Sequence, residues 1–227
     1  MKTLARVLRF IVLGLCVLVL SIHVMGAAHA VLPVHGTWNM VLRPMGTPLR
    51  RHWVPLNRLS PHLVRAVIAA EDARFCQHGG IDFDALERAI DDNRTRDRRR
   101  GGSTLTQQTA KNVFLWNGGG YGRKAVEAWF ALYIDTVWTK RRIMEIYLNV
   151  AEWGDGIFGA EAAAQARFGK SAADLSGREA ALLAAVLPSP NKWRVDPPGP
   201  YVSGRANTLQ QRARIVRNEG LDACVLP

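Results

Sequence analysis

Residues 67–84 read Val67-Ile-Ala-Ala-Glu71-Asp72-Ala-Arg-Phe75-Cys-Gln-His78-Gly-Gly-Ile-Asp-Phe-Asp84. Upstream, Ser60-Pro61 supplies a helix start, with serine as N-cap and proline at the first helical position. Leu63, Val64, Val67, Ile68 and Glu71 then follow the three-and-four spacing of one helix face. Glu71 therefore continues the stripe that faces a core, and a carboxylate there is partly desolvated. Desolvation raises its pKa and suits it to exchange protons near neutrality. For an isolated glutamate the commoner reading is a helix-terminal side chain bonded to backbone or to an arginine. The adjacent Asp72, then Phe75, His78 and a Gly-Gly turn, favour chemistry.

The chain has 227 residues, enough for one sizeable core, or for one domain and a membrane segment. Its formal charge of +11 calls for an anionic partner: nucleic acid, a membrane surface or a phosphate-bearing substrate. The three cysteines, Cys16, Cys76 and Cys224, match neither a disulfide framework nor a zinc spacing. Cys16 lies in an apolar run, so Cys76 and Cys224 are the two that could pair in the soluble part, and the residues leave that pairing open.

Lys2, Arg6 and Arg9 precede an apolar stretch from Phe10 to about Ala28. Basic residues on this side keep the N-terminus cytoplasmic and send the rest of the chain across the membrane. Two readings stand. Phe10 to Leu20 would serve as a signal-peptide core, with Ala28-His29-Ala30 as a small-x-small cleavage site; read to Ala28, the stretch is long enough to be a retained anchor. Under either reading the body is exported, which argues against nucleic acid. The expected layout is a cytoplasmic tip and anchor over 1–30, an extended Pro-, Gly- and Arg-rich lead-in over 31–59, a catalytic domain over 60–220 and a tail over 221–227.

A short amphipathic run, Ala85 to Ile90, precedes five arginines between Arg94 and Arg100. Gly101-Gly102 then leads into Ser103 and Thr104, which can cap a helix running through Leu115. Glycines before a helix N-terminus expose backbone N–H groups and the positive end of the dipole, a ready phosphate site. That helix would carry Thr104, Gln107, Gln108 and Lys111 on one polar face, to meet a ligand or solvent. After Gly118–Gly122, the longest helical pattern in the chain opens with Arg123, Lys124 and Glu127 and buries Val126, Phe130, Tyr133 and Val137. A local ion pair would account for its first turn. Lys140 begins another helix with Ile143, Met144, Tyr147 and Leu148 inside. Beyond Glu152 the chain reads as scaffold: a small-residue helix at Ala160 to Phe168, a capping box at Ser176–Glu179 opening Ala180 to Leu187, and a last helix from Ala206 to Val216.

Four motifs occur in order: Glu71-Asp-x-x-Phe75-x-x-His78, Gly101-Gly-Ser-Thr-x-Thr-Gln-Gln-x-x-Lys111-Asn112, Arg123-Lys124-x-x-Glu127 and Lys140-Arg-Arg-Ile-x-Glu145-x-Tyr-Leu-Asn149. The series resembles the peptidoglycan glycosyltransferases, the domain shared with bifunctional penicillin-binding proteins. The run Asn149-Val-Ala-Glu-Trp-Gly-Asp-Gly-Ile-Phe-Gly159, with no transpeptidase domain following, resembles the monofunctional biosynthetic form. The likeness covers about residues 50–220; the arginine run, the triple glycine at 118–120 and Gly79-Gly80 are loop departures that remove no matching residue.

The resemblance implies a mainly helical, lysozyme-like fold with a small membrane-associated jaw, preceded by one transmembrane helix. It implies polymerisation of lipid II onto a growing glycan chain outside the plasma (inner) membrane, with cell-division or elongation proteins as expected partners. Glu71 would be the general base. Glu127, the second catalytic carboxylate, would act with Arg123, Lys124 and Lys111 on the leaving pyrophosphate, directly or through a divalent cation such as Mg2+ or Mn2+ held at Glu127. Asp72, Phe75, His78, Ser103, Thr104, Gln107 and Gln108 would shape the substrate cleft, and Phe114, Leu115 and Trp116 would either face the membrane in the jaw or take an ordinary place in the core. Two other functions remain: a lytic lysozyme relative that cleaves glycan, and a non-enzymatic membrane-anchored scaffold. The cations between Lys111 and Lys124 would have no evident task in the first, nor the ordered Glu71 and Glu127 motifs in the second.

Overall fold

The computed structural model describes residues 2–95 and 101–227. The last four arginines of the run, at 96 and 98–100, lie outside the described residues. The chain forms two compact units, residues 1–33 and 34–227. In the first, α1 (Lys2–Ala28) is a single helix with an exposed apolar surface. Its span Thr3–Ala28, of mean hydropathy 2.5, is long and apolar enough to cross a membrane.

The second unit is mainly helical, as expected. In chain order its elements are α2 (Trp38–Val41), β1 (Arg50–Arg51), α3 (Pro61–Glu71), α4 (Phe83–Thr95), α5 (Leu105–Phe114), α6 (Tyr121–Val137) and α7 (Lys140–Val150). They are followed by β2 (Glu152–Gly154), β3 (Ile157–Phe158), α8 (Ala160–Phe168), α9 (Gly177–Val186) and α10 (Pro200–Asn218). Two helical groups build the core: α3 packs on α9 and α10, while α5 packs on α6 and α7. The capping residues anticipated for α3, α5 and α9 are in place. Ser60 caps α3, and Thr104 with Gln107 and Ser176 with Glu179 form complete capping boxes.

Four expectations change. The lead-in is woven into the domain: β1 pairs in parallel with β3, which pairs antiparallel with β2. Asn149 of α7 clamps the same segment, accepting from Val54 N–H at 2.8 Å and donating to Val54 C=O at 2.9 Å, and Leu56 N–H donates to Glu145 at 2.9 Å. Much of the Lys140–Asn149 motif is thus a brace for this crossing. Secondly, α4 runs to Thr95, past Ile90, and takes in Arg94. Thirdly, α10, with 19 residues, is longer than α6, with 17, and begins at Pro200 rather than Ala206.

The fourth change is the rotation of α6. Glu127, Phe130, Ala131 and Ile134 face inward, whereas Val126 and Val137 are exposed together with Trp129 and Leu132. Apolar residues surround this helix, so periodicity alone does not choose the buried face. Phe130 chooses it by stacking on Phe114, with 4.6 Å between ring centres. Phe114 and Leu115 are accordingly core residues rather than membrane-facing ones; of the three, only Trp116 is exposed, at 47 %.

The cysteine question resolves into a disulfide between Cys76 and Cys224. It ties the turn after Asp72 to the C-terminal tail, which Arg65 also holds through Asp222 at 2.7 Å.

Candidate active site

Glu71 is the last residue of α3, and the chain turns away at Asp72. Its Oε2 accepts a hydrogen bond from Gln108 Nε2 at 2.9 Å, while Oε1 is buried without a hydrogen-bond partner. Burial pushes the Glu71 carboxyl above its ordinary range, opposed by the Gln108 hydrogen bond and the charge of Arg205. Tyr147 supports the arrangement from below: its hydroxyl donates to Gln108 Oε1 at 3.3 Å, and burial with the nearby Glu71 charge raises its own pKa well above normal. Tyr147, legible in the sequence only as an apolar-side residue of α7, thereby fixes which way the Gln108 amide points.

Asp72 does not share the work of its neighbour. It is buried, accepts from His78 Nε2 at 3.0 Å and from Leu105 N–H at 2.9 Å, and so fastens the first turn of α5 to the end of α3. Phe75 is fully buried and takes no place on the cleft wall. Lys140 lies over its ring at 4.9 Å and donates to His78 C=O and Asp135, each at 2.7 Å. Thr104 Oγ1 donates to Gly80 C=O at 2.6 Å, and Gln107 reaches back to Thr104 N–H at 2.9 Å, so both side chains are committed to capping. Gly80 has φ of +84°, and a Cβ there would stand 3.0 Å from Ala131 C=O. Only glycine fits that close approach. Of the residues expected to shape the site, then, Phe75, His78 and Gln107 line neither cavity and position Glu71 and Gln108, while Asp72 and Thr104 do so and also line the cavity of Glu71.

Glu127 is 2 % exposed and accepts from Arg123 at 2.7 Å and from Lys124, whose Nζ also donates to Ser103 Oγ at 2.7 Å. The local ion pair inferred for this turn is real, yet it is buried on the glutamate side, which makes it a device for holding two cations in place. Lys111, burial of which lowers its pKa, feels the charges of Glu127, Arg123, Lys124 and Glu152. The donor set does not suit a divalent ion, because Arg123 and Lys124 already engage both Glu127 oxygens. Among the described residues no group of three or more His, Cys, Asp or Glu side chains converges elsewhere.

Two cavities meet at Gln108. One, about 540 Å³, contains Glu71, Arg74, Arg88, Gly101, Ser103 and Arg205; the other, about 350 Å³, contains Lys111, Asn112, Tyr147, Glu152, Asn191 and Lys192. Burial raises the Glu152 pKa against an Asn191 hydrogen bond of 3.2 Å. In the sequence, Glu152, Arg205 and the rest of the chain beyond α7 read as scaffold, because lone polar residues there carry no spacing that marks a site.

A part-buried carboxylate at the end of one helix, an amide that lines two cavities and two cations held by a buried glutamate thus lie on neighbouring elements. A family model described as Transglycosylase matches residues 39–219. The chain belongs to the transglycosylase family. This transglycosylase is 52 % identical to the biosynthetic peptidoglycan transglycosylase of Rhodospirillum centenum over 100 % of this chain and 99 % of the relative. It is 50 % identical to that of Caulobacter vibrioides, with 97 % of each chain covered, and 55 % identical to that of Rhodopseudomonas palustris over 74 % of this chain and 72 % of the relative.

Proposed function

We propose that this peptidoglycan glycosyltransferase polymerises lipid II into linear β-1,4 glycan, releasing undecaprenyl diphosphate on the outer side of the plasma membrane, where α1 anchors it. The observation that carries this reading is the buried, unpartnered Oε1 of Glu71 beside Gln108, which also lines the cavity of Lys111. Glu71 Oε1 takes the proton of the acceptor 4-hydroxyl as that oxygen bonds to the anomeric carbon of the growing chain. The bond from that carbon to the diphosphate oxygen breaks, and its electron pair leaves with the diphosphate. Inversion results from attack opposite the leaving group.

Charge grows on the departing diphosphate in the transition state, so Lys111, Arg123 and Lys124 stabilise that state more than the ground state. Glu127 acts through them: it keeps Arg123 and Lys124 turned toward one place. The exposed Trp116 and the outer face of α6, with Trp129 61 % exposed, would rest against lipid and assume the membrane-facing role expected of Phe114 and Leu115. The lipid-linked substrates enter from that surface. An expected divalent ion finds no protein site beside Glu127, and no step here passes through one.

The full chain incubated in detergent with labelled lipid II should give long, lysozyme-sensitive glycan and free polyprenyl diphosphate. Cleavage of preformed glycan without synthesis, or no product at all, would overturn the reading.

A further inference from the structure

Both substrates of the proposed polymerisation carry a diphosphate. Lys111, Arg123 and Lys124 answer the one that leaves, whereas the acceptor brings another that stays attached to its sugar. The cleft around Glu71 is lined by four arginines, Arg74, Arg88, Arg205 and Arg212. Their partners set them apart. Arg74 is engaged by Asp84 at 2.8 Å and Asp82 at 3.4 Å. Arg88, from α4, and Arg205 and Arg212, from α10, make no ion pair among the described residues; of these three, Arg205 is the one whose Nε is buried with no hydrogen-bond partner, and Arg212 lies on the same helix as Arg205.

A buried guanidinium N–H without an acceptor is destabilising unless a ligand supplies the acceptor. Seven residues apart, the two arginines lie two turns along one helix face, about 10 Å of axial rise. Arg205 is near enough for its charge to act on the Glu71 carboxylate. The planar fork of arginine matches phosphate oxygens in a bidentate way, and a neutral acetamido sugar would give two such cations nothing to neutralise.

We propose that Arg205 and Arg212 form an anion site on the acceptor side of Glu71, which holds the diphosphate of the incoming lipid II monomer. The proposal rests on the polymerase reading and adds a second diphosphate site to it. With the acceptor held there, its 4-hydroxyl is presented to Glu71 while the donor diphosphate occupies the cation cluster of α5 and α6. Each round of elongation then refills the α10 site with a new monomer.

The test uses the full chain in detergent, a labelled lipid-linked oligosaccharide as donor, and two acceptors: a disaccharide with a prenyl diphosphate, and the same disaccharide with a neutral prenyl ether. A third, diphosphate-bearing acceptor without the stem peptide separates phosphate from peptide carboxylate as the anion recognised. Arg205→Gln and the Arg205→Gln/Arg212→Gln pair should reduce the kcat/KM preference for the diphosphate acceptors over the neutral one about tenfold or more, chiefly through KM, with Arg205→Lys recovering part of it. An unchanged preference, or a preference that tracks the stem peptide, overturns the proposal even where all rates fall. Farnesyl diphosphate titrated into the wild-type chain gives a reading independent of turnover. Two equivalents should bind, one lost in the Arg205/Arg212 variant and the other in Lys111→Ala; a single wild-type site overturns the proposal. A wild type that binds two equivalents yet makes no glycan leaves the anion site standing and removes the polymerase reading.

Discussion

Gln108 Nε2 donates to Glu71 Oε2 at 2.9 Å and leaves Oε1 buried and unpartnered, so one oxygen is fixed and the other is kept for a proton. Glu71→Gln should lower polymerisation roughly 10²–10⁴-fold, the range of a positioned general base. The same change should stabilise the fold near neutral pH. Because burial raises the Glu71 pKa in the folded state, the stability associated with the protonated group is fully present below the unfolded carboxylate value. It is lost as pH rises through the folded value. Thermal melts should therefore place Glu71→Gln above wild type at neutral pH, by roughly 2–4 °C for each kcal/mol recovered, and the gap should close in acid. A gap that is constant with pH would show that desolvation of Glu71 is not its source.

The Gln108 hydrogen bond opposes burial by lowering the proton affinity of Glu71. Its loss in Gln108→Ala should move the acid limb of the kcat/KM profile to higher pH and lower the rate at neutral pH several-fold. An acid limb that stays in place while the rate falls would mean that Gln108 serves substrate binding alone.

How far the sequence carried these positions depends on how tightly chemistry restricts residue type. Glu71 was legible because a carboxylate interrupts an apolar stripe beside a fixed set of neighbours, and Gln108 and Lys111 because they come after a capped, glycine-preceded helix start. The division of labour was not. Phe75 and Gln107 sit in the motifs yet face inward, and only the three-dimensional tie between the start of α5 and the end of α3, through Leu105 N–H and Asp72, shows that they line neither cavity. The rotation of α6 was hidden by apolar residues on every side. Arg205 and Arg212 were hidden because arginines on a basic terminal helix look like solvated charges until α10 brings them to the Glu71 cleft.

The cation cluster should separate binding from folding. Lys111 is half-buried at the cost of a lowered pKa, so Lys111→Ala should leave the melting temperature equal or higher while weakening donor binding about tenfold or more. Glu127→Gln leaves Arg123 and Lys124 with half of their shared partner. Since Lys124 is well exposed and can hydrate, the loss should be on the order of 1–3 kcal/mol of stability, with a raised KM for donor. Unchanged stability in Glu127→Gln, together with a pure loss of kcat, would instead make Glu127 a participant at the reacting atoms.

The Cys76–Cys224 disulfide spans 148 residues and secures the turn that comes after Asp72. A cross-link of that reach restricts the unfolded chain strongly, and its removal should lower stability by about 2–4 kcal/mol, or roughly 5–15 °C in Tm. The tail should nevertheless remain docked in the Cys76→Ser/Cys224→Ser variant, since Arg65 holds Asp222 at 2.7 Å and Arg141 donates to Val225 C=O at 2.6 Å. The turn itself is also clamped by Lys140 through His78 C=O. Glycan synthesis at 25 °C should accordingly change little, while inactivation on warming comes earlier, and adding a reductant to the wild type should reproduce the variant. Equal melting temperatures with and without reductant would show that the ion pairs, not the disulfide, secure this corner of the site.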